Sequence, residues 1–111
     1  MIELDTDISA DAAVIRLQGR LTMVNAAAVR SAVADAIRAG RTRVVLDLSG
    51  CEFIDSSGLG AVIGGLKTAR QAGGDLRIAS LAPQVATVLQ LTNLDRVLRP
   101  YDTVAGALDA G

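Results

Sequence analysis

Two adjacent hydroxyls follow a carboxylate in Phe53-Ile54-Asp55-Ser56-Ser57-Gly58-Leu59-Gly60, and no other stretch of the chain gathers as much potential chemistry. A short apolar run reaches a polar turn, and the serines then stand at the mouth of an apolar-striped helix. Asp and Ser both serve as helix caps, because their oxygens accept from the free N–H groups of a first turn. Either Asp55 or Ser56 can fill that position. A hydroxyl there sits at the positive end of a helix, where an added phosphate is well tolerated. On residue types alone, a serine in this place reads first as a plain cap.

Most catalytic alternatives fall to composition. The chain has no histidine, which removes a Ser-His-Asp triad and any histidine metal site. Lys67 is the only lysine, and on one helix with Ser56 it would stand roughly 16 Å along the axis. Gly60 to Lys67 has the outline of a P-loop, but the lysine comes one position too late and the segment reads as helix interior. Gly58-Leu59-Gly60 opens like a dinucleotide fingerprint, yet Ile63 stands where the third glycine belongs. Asp47, Glu52 and Asp55 are the candidates for a small Mg²⁺ site. Two of them read better as a strand-end residue and a solvated turn charge, so no metal is expected. Cys51, the sole cysteine, excludes an internal disulfide and reads as a small buried hydrophobe beside a strand end rather than a redox thiol. Neither a cofactor nor catalysis by this chain alone is expected. What remains is a serine that is acted upon.

The elements that must position this turn follow from periodicity. With 111 residues the chain is expected to be one domain, residues 1–111, burying ~65% of its unfolded surface. Half its residues are hydrophobic but Phe53 and Tyr101 are its only aromatics, so the core must be built from Val, Leu, Ile and Ala. Ile2 to Asp5 and Ala13 to Gln18 alternate as strands, the second with Ile15 and Leu17 on one face and Arg16 and Gln18 on the other. Asn25 opens a helix through Ala39 with Val29, Val33, Ala36 and Ile37 on one stripe and Gly40 as its stop. Arg43 to Leu48 is too continuously apolar to have an open face and reads as a strand buried on both sides. A helix from about Ser57 to Ala72 ends at Gly73-Gly74, and Leu76 to Ala79 is the next strand. Pro83 starts a helix carrying Val85, Val88 and Leu89, with Asn93 as a left-handed cap. Val97-Leu98-Arg99 reads as a short last strand and Asp102 as the cap of a final helix through Leu108. The alternation predicts an α/β fold: one mixed sheet of four to five strands with about four helices packed on it.

On the helix after Ser56, Leu59, Val62, Ile63, Leu66 and Ala69 fall together and should face the sheet. Ser57, Gly60, Ala61, Gly64 and Thr68 fall on the opposite side, all small. Glycine costs about 1 kcal/mol in a helix relative to alanine, so Gly60 and Gly64 are not there for helix stability. The favoured reading is a smooth surface that a partner's backbone can approach. Nucleic acid is not the expected partner: net charge is −1 and the 10 arginines are scattered without a basic run. No stretch approaches the ~18 apolar residues of a membrane span. Met1 to Asp5 lacks the basic start of a signal peptide, so a soluble, cytoplasmic protein is expected, with no direct membrane insertion.

Asp55-Ser56-Ser57-Gly58-Leu59-Gly60, preceded by Val44-Val45-Leu46-Asp47-Leu48-Ser49, resembles the signature of STAS-domain anti-sigma-factor antagonists. Gly19-Arg20-Leu21 matches the turn after that family's second strand, and Gly73-Gly74-Asp75-Leu76 the break after its second helix, so the resemblance covers nearly the whole chain. It implies a STAS fold and a phosphorylation switch, with Ser56 as the phosphoacceptor. The implied partners are an anti-sigma factor that is also a serine kinase, bound when Ser56 is unphosphorylated so that a sigma factor is released, and a PP2C-type phosphatase that resets the serine. ATP and Mg²⁺ would belong to the kinase. The implied contact surface is Asp55, Ser57, Gly58, Gly60, Ala61, Gly64 and Thr22. Thr22 departs from the family, which commonly carries an acidic residue there. The alternative is a non-phosphorylated STAS accessory subunit of an ABC-type lipid transport complex.

Overall fold

Strand β2, Ala12–Leu21, organises the molecule because alternate residues serve opposite faces. A computed structural model describes residues 2–8, 12–98 and 100–109 of the chain. Ala13, Ile15, Leu17 and Leu21 point into the main core, whereas Val14 belongs to a smaller cluster on the other side of the sheet. Next to β2 runs β3, Arg43–Ile54, in parallel, and on its other side β1, Ile2–Ile8, pairs antiparallel. β4, Asp75–Ala79, and the two-residue β5, Pro100–Tyr101, complete a five-stranded mixed sheet in the order β1-β2-β3-β4-β5. Val44, Val45, Leu46 and Leu48 are all buried, as a strand covered on both faces requires.

Helices α1 (Ala26–Arg38), α2 (Ser56–Gln71) and α3 (Pro83–Leu91) supply the main core with Val29, Val33, Leu59, Val62, Leu66, Val85 and Leu89. The short α4, Val104–Asp109, covers part of the opposite face through Ala107, with Tyr101 and Leu108 packed alongside. The open part of that face is polar: Arg16 lies 2.6 Å from Asp7 and 3.9 Å from both Asp5 and Asp47. Gly40 and Gly73 hold φ of 86° and 83°, and Asn93 sits in the left-handed region at 58°, so each stops its helix as the sequence predicts.

Four local expectations need correction. β3 does not end at Leu48 but runs to Ile54. The strand takes in Ser49 and Gly50 through two register shifts against β2, and Gly50 fits where a Cβ would lie 2.9 Å from Gln18 Cγ. Cys51 is therefore inside a strand, although buried as expected. The last strand is not at Val97-Leu98: the N–H groups of both bond to Leu94 O at 3.0 and 2.8 Å, closing a turn, and Arg99 lies outside the described residues. The final helix is capped by Thr103, whose Oγ1 accepts from Gly106 N–H at 3.0 Å, and not by Asp102. Asn25 precedes α1 as expected but turns its side chain backward, accepting from Thr22 N–H at 2.8 Å and donating to Arg20 O at 2.7 Å.

Candidate functional site

The turn between β3 and α2 is built around one carboxylate with two tasks. Asp55 is extended, with φ −104° and ψ −177°, the backbone an N-cap needs. Its Oδ1 accepts from Gly58 N–H at 2.8 Å, and its own carbonyl accepts from Leu59 N–H at 2.9 Å, which starts the helix. The other carboxylate oxygen, Oδ2, accepts from Met23 N–H at 3.1 Å, while Asp55 N–H donates to Leu21 O at 3.1 Å. A single side chain thus fastens the β2–α1 loop to the start of α2. Just upstream, Gln84 of α3 meets both backbone groups of Ile54, accepting from its N–H at 2.9 Å and donating to its carbonyl at 3.2 Å. β2 pairs with the strand end on one side, and on the other, beyond the reach of β4, the Gln84 amide takes the place of a strand.

With Asp55 as the cap, Ser56 becomes the first helical residue. It is exposed, and its hydroxyl makes no hydrogen bond to another described residue. Ser57 is half-buried beside it. Gly58 is buried: a Cβ there would lie 2.5 Å from Leu21 O and 2.7 Å from Leu21 Cγ, so the first turn of α2 can rest on the end of β2 only without a side chain. Gly58 is accordingly a packing requirement and not part of an outward contact surface. Ala61 needs the same correction. It is 0% exposed, because α2 has two buried sides, one toward the sheet and one toward α1. Gly65, one turn beyond, marks that second seam, where an added Cβ would meet Val33 at 3.4 Å. A helical wheel drawn with one apolar stripe misses it.

Gly60 and Gly64 do lie toward solvent, Gly60 exposed and Gly64 half-buried. They are not bare. Arg30 of α1 reaches across them, with Nη2 4.0 Å from a Cβ placed at Gly60 and Nε 3.9 Å from one placed at Gly64. Thr22 uses its backbone and hydroxyl within its own loop: its carbonyl accepts from Asn25 and Ala26 N–H groups, and Oγ1 accepts from Val24 N–H at 3.3 Å. Residue types alone did not single out Met23 and Val24, 74% and 88% exposed beside the Asp55 turn. Their signal was present, since two apolar residues between a strand and a helix cap have no periodic face to join. Arg20, stacked on Phe53 at 4.4 Å, completes this end of the molecule.

Other candidates are engaged elsewhere. Asp47 faces Arg16 and Asp55 caps α2, so these two do not converge on a cation. Burial pushes the Cys51 thiol up from its ordinary pKa, and its sulfur lies 3.4 Å from Phe53 O. A thiol held protonated in this way is a poor nucleophile. Among the described residues no helix is long and apolar enough to cross a membrane.

The arrangement defines an α/β domain that displays an unengaged hydroxyl on a capped helix start, with exposed apolar residues beside it. The STAS domain family model matches residues 3–107, and the chain belongs to that family. An anti-sigma F factor antagonist from Paenibacillus polymyxa is 32% identical over 96 residues, 86% of this chain and 82% of that protein. A homologue from Thermotoga neapolitana, also named as an anti-sigma factor antagonist, is 40% identical over 70 residues. That match spans 63% of this chain and 62% of the relative, less than two thirds of its length. The crystal structure of an anti-sigma factor antagonist from Thermotoga maritima superposes with a TM-score of 0.87 at 33% identity, covering 96% of this chain and 92% of that one.

Proposed function

We propose that this chain is an anti-sigma-factor antagonist of the cytoplasm, a non-enzymatic partner switched by phosphorylation of Ser56. The observation that carries the reading is the division of labour at the turn: Asp55 takes the cap, leaving the Ser56 hydroxyl exposed and unengaged. A serine occupied as a cap would have to break its bond before it could react. Unphosphorylated, the protein docks on an anti-sigma serine kinase through Ser56, Ser57, the Gly60–Gly64 face and the Thr22–Val24 loop, and a sigma factor is freed. The kinase supplies ATP and Mg²⁺, and a PP2C-type phosphatase restores the hydroxyl.

The energetics favour a surface switch over an unfolding switch. Phosphate adds about −1.5 to −2 charges at neutral pH. The N-terminus of α2 stabilises that charge by about 0.3–1 kcal/mol, partly offset by the Asp55 carboxylate next to it. A misplaced charge in the contact costs several kcal/mol, on the order of 100-fold or more in affinity. The fold survives and the complex does not.

The test is phosphopeptide mapping after incubation with the cognate kinase and ATP-Mg²⁺, with Ser56→Ala as control. Label on Ser56 and none on the variant is the expected result. Label on Ser57, or a variant that is still labelled, would overturn the assignment. The intact mass of protein isolated from its own organism separates the switch from a constitutive transporter subunit, because only the switch yields a fraction heavier by one phosphate.

A further inference from the structure

At the far end of α2, about 21 Å along the axis from Ser56, the short β5 leaves a notch in the sheet. Among the described residues β5 pairs only with Ile78 and Ala79, so on the side away from β3 no described strand neighbours Asp75 to Arg77. The resulting cleft encloses about 470 Å³, within the range of small-ligand sites. Arg70, Arg77, Arg96 and Tyr101 line it around Asp75.

The balance of charge here is the reverse of that around Arg16. There three aspartates surround one arginine; here the described lining holds three arginines and one aspartate, a surplus of two positive charges among these residues. The Asp75 carboxylate already shows how the cleft holds an anion. Its Oδ1 accepts from Leu76 N–H at 3.0 Å and lies 3.5 Å from Arg70 Nε, and its Oδ2 lies 3.5 Å from Arg77 Nε. Arg77 is fixed in place, its side chain 14% exposed, with Nη1 donating to Ala107 O at 2.8 Å. Arg96 has no ion-pair partner among the described residues, and Arg70 spends only one long contact on Asp75. Guanidinium groups bind phosphate oxygens through paired N–H donors, and two surplus positive charges match one phosphate dianion. The Tyr101 ring, with Arg77 6.0 Å from its centre, provides an aromatic wall beside that position.

We propose that this cleft is a binding site for a small organic phosphate monoester, with Arg70 and Arg96 grasping the dianion, Arg77 fixing its position and Tyr101 flanking the organic group. The site does not depend on the role of Ser56.

Amide chemical shifts of the full chain, followed at neutral pH and low salt during titration with inorganic phosphate and with phenyl phosphate, test it. Saturable shifts centred on residues 75–77, 96–97 and 101 are expected, with phenyl phosphate binding more tightly. Arg96→Ala and Arg70→Ala, both at exposed side chains, should keep the native melting temperature and each lose at least tenfold in affinity, whereas Ser56→Ala should bind like the native chain. The proposal is overturned by the absence of saturable shifts, by shifts confined to the start of α2, or by arginine variants that bind normally. Equal affinity for the two probes would overturn the assignment of an ester by restricting the site to the bare dianion.

Discussion

Two sides of α2 use glycine for opposite reasons. Gly58 and Gly65 face inward, where a side chain would meet Leu21, Val33 or Leu76. Gly60 and Gly64 face outward, where the nearest group is the displaceable guanidinium of Arg30. On the inner side the missing Cβ lets a helix settle on a strand end and on a neighbouring helix. On the outer side it does nothing for the fold, since alanine would be the better helix former. The same residue type one or two positions apart thus marks packing in one case and a surface kept low in the other.

Substitutions can break this contrast, and the largest effect is expected inside. Gly58→Ala forces a methyl against the Leu21 carbonyl, a backbone atom that cannot swing aside, and should destabilise the domain by about 3 kcal/mol. Thermal denaturation would show a melting temperature lower by more than about 10 °C. A near-native value would mean that the start of α2 is free to shift. Next comes Ser56→Asp, at the exposed start of the same turn. It should melt within a few degrees of the native protein while losing about 100-fold in affinity for the kinase, about 2.7 kcal/mol, read by calorimetric titration. Unfolding of this variant would replace surface charge with local melting as the mechanism.

Gly64→Arg probes the outer side directly. The new side chain has room at its base but must share the surface with Arg30, so the native circular dichroism spectrum should persist while partner binding falls about tenfold, or about 1.4 kcal/mol. Unchanged affinity would place the docking surface elsewhere, and a collapsed melting temperature would show that the face is internal. The smallest effect is Gly60→Ala, which should raise stability by up to about 1 kcal/mol in denaturant unfolding and barely alter binding. A loss of stability there would erase the distinction between the two sides.

What the sequence revealed and what it hid divide along local and non-local lines. The alternation of β2, the apolar start of β3, the Gly40 and Gly73 stops and the left-handed Asn93 are all written in neighbouring residues, and each is found where periodicity places it. The continuation of β3 through Ser49 and Gly50 was illegible because those residues form turns unless a partner strand holds them, and β2 holds them only through shifted pairing. The inward position of Ala61 depends on α1 lying against α2, which no single-helix pattern encodes. At the site, residue types restricted the cap to Asp55 or Ser56. The bond from Gly58 N–H to Asp55 decides between them, and the second tie, from Met23 32 residues away in sequence, is a property of the folded chain.

The placement of Tyr101 has a spectroscopic consequence. The chain contains one tyrosine and no tryptophan, and that tyrosine lies beside the arginine cleft rather than at the serine turn. Native ultraviolet emission therefore comes mainly from a single reporter in the lining of the cleft, level with the middle of β3. An event at the cleft should change its intensity, while docking at the serine turn should leave its intensity unchanged. The protein thus carries an unlabelled optical probe that can tell the cleft from the serine turn.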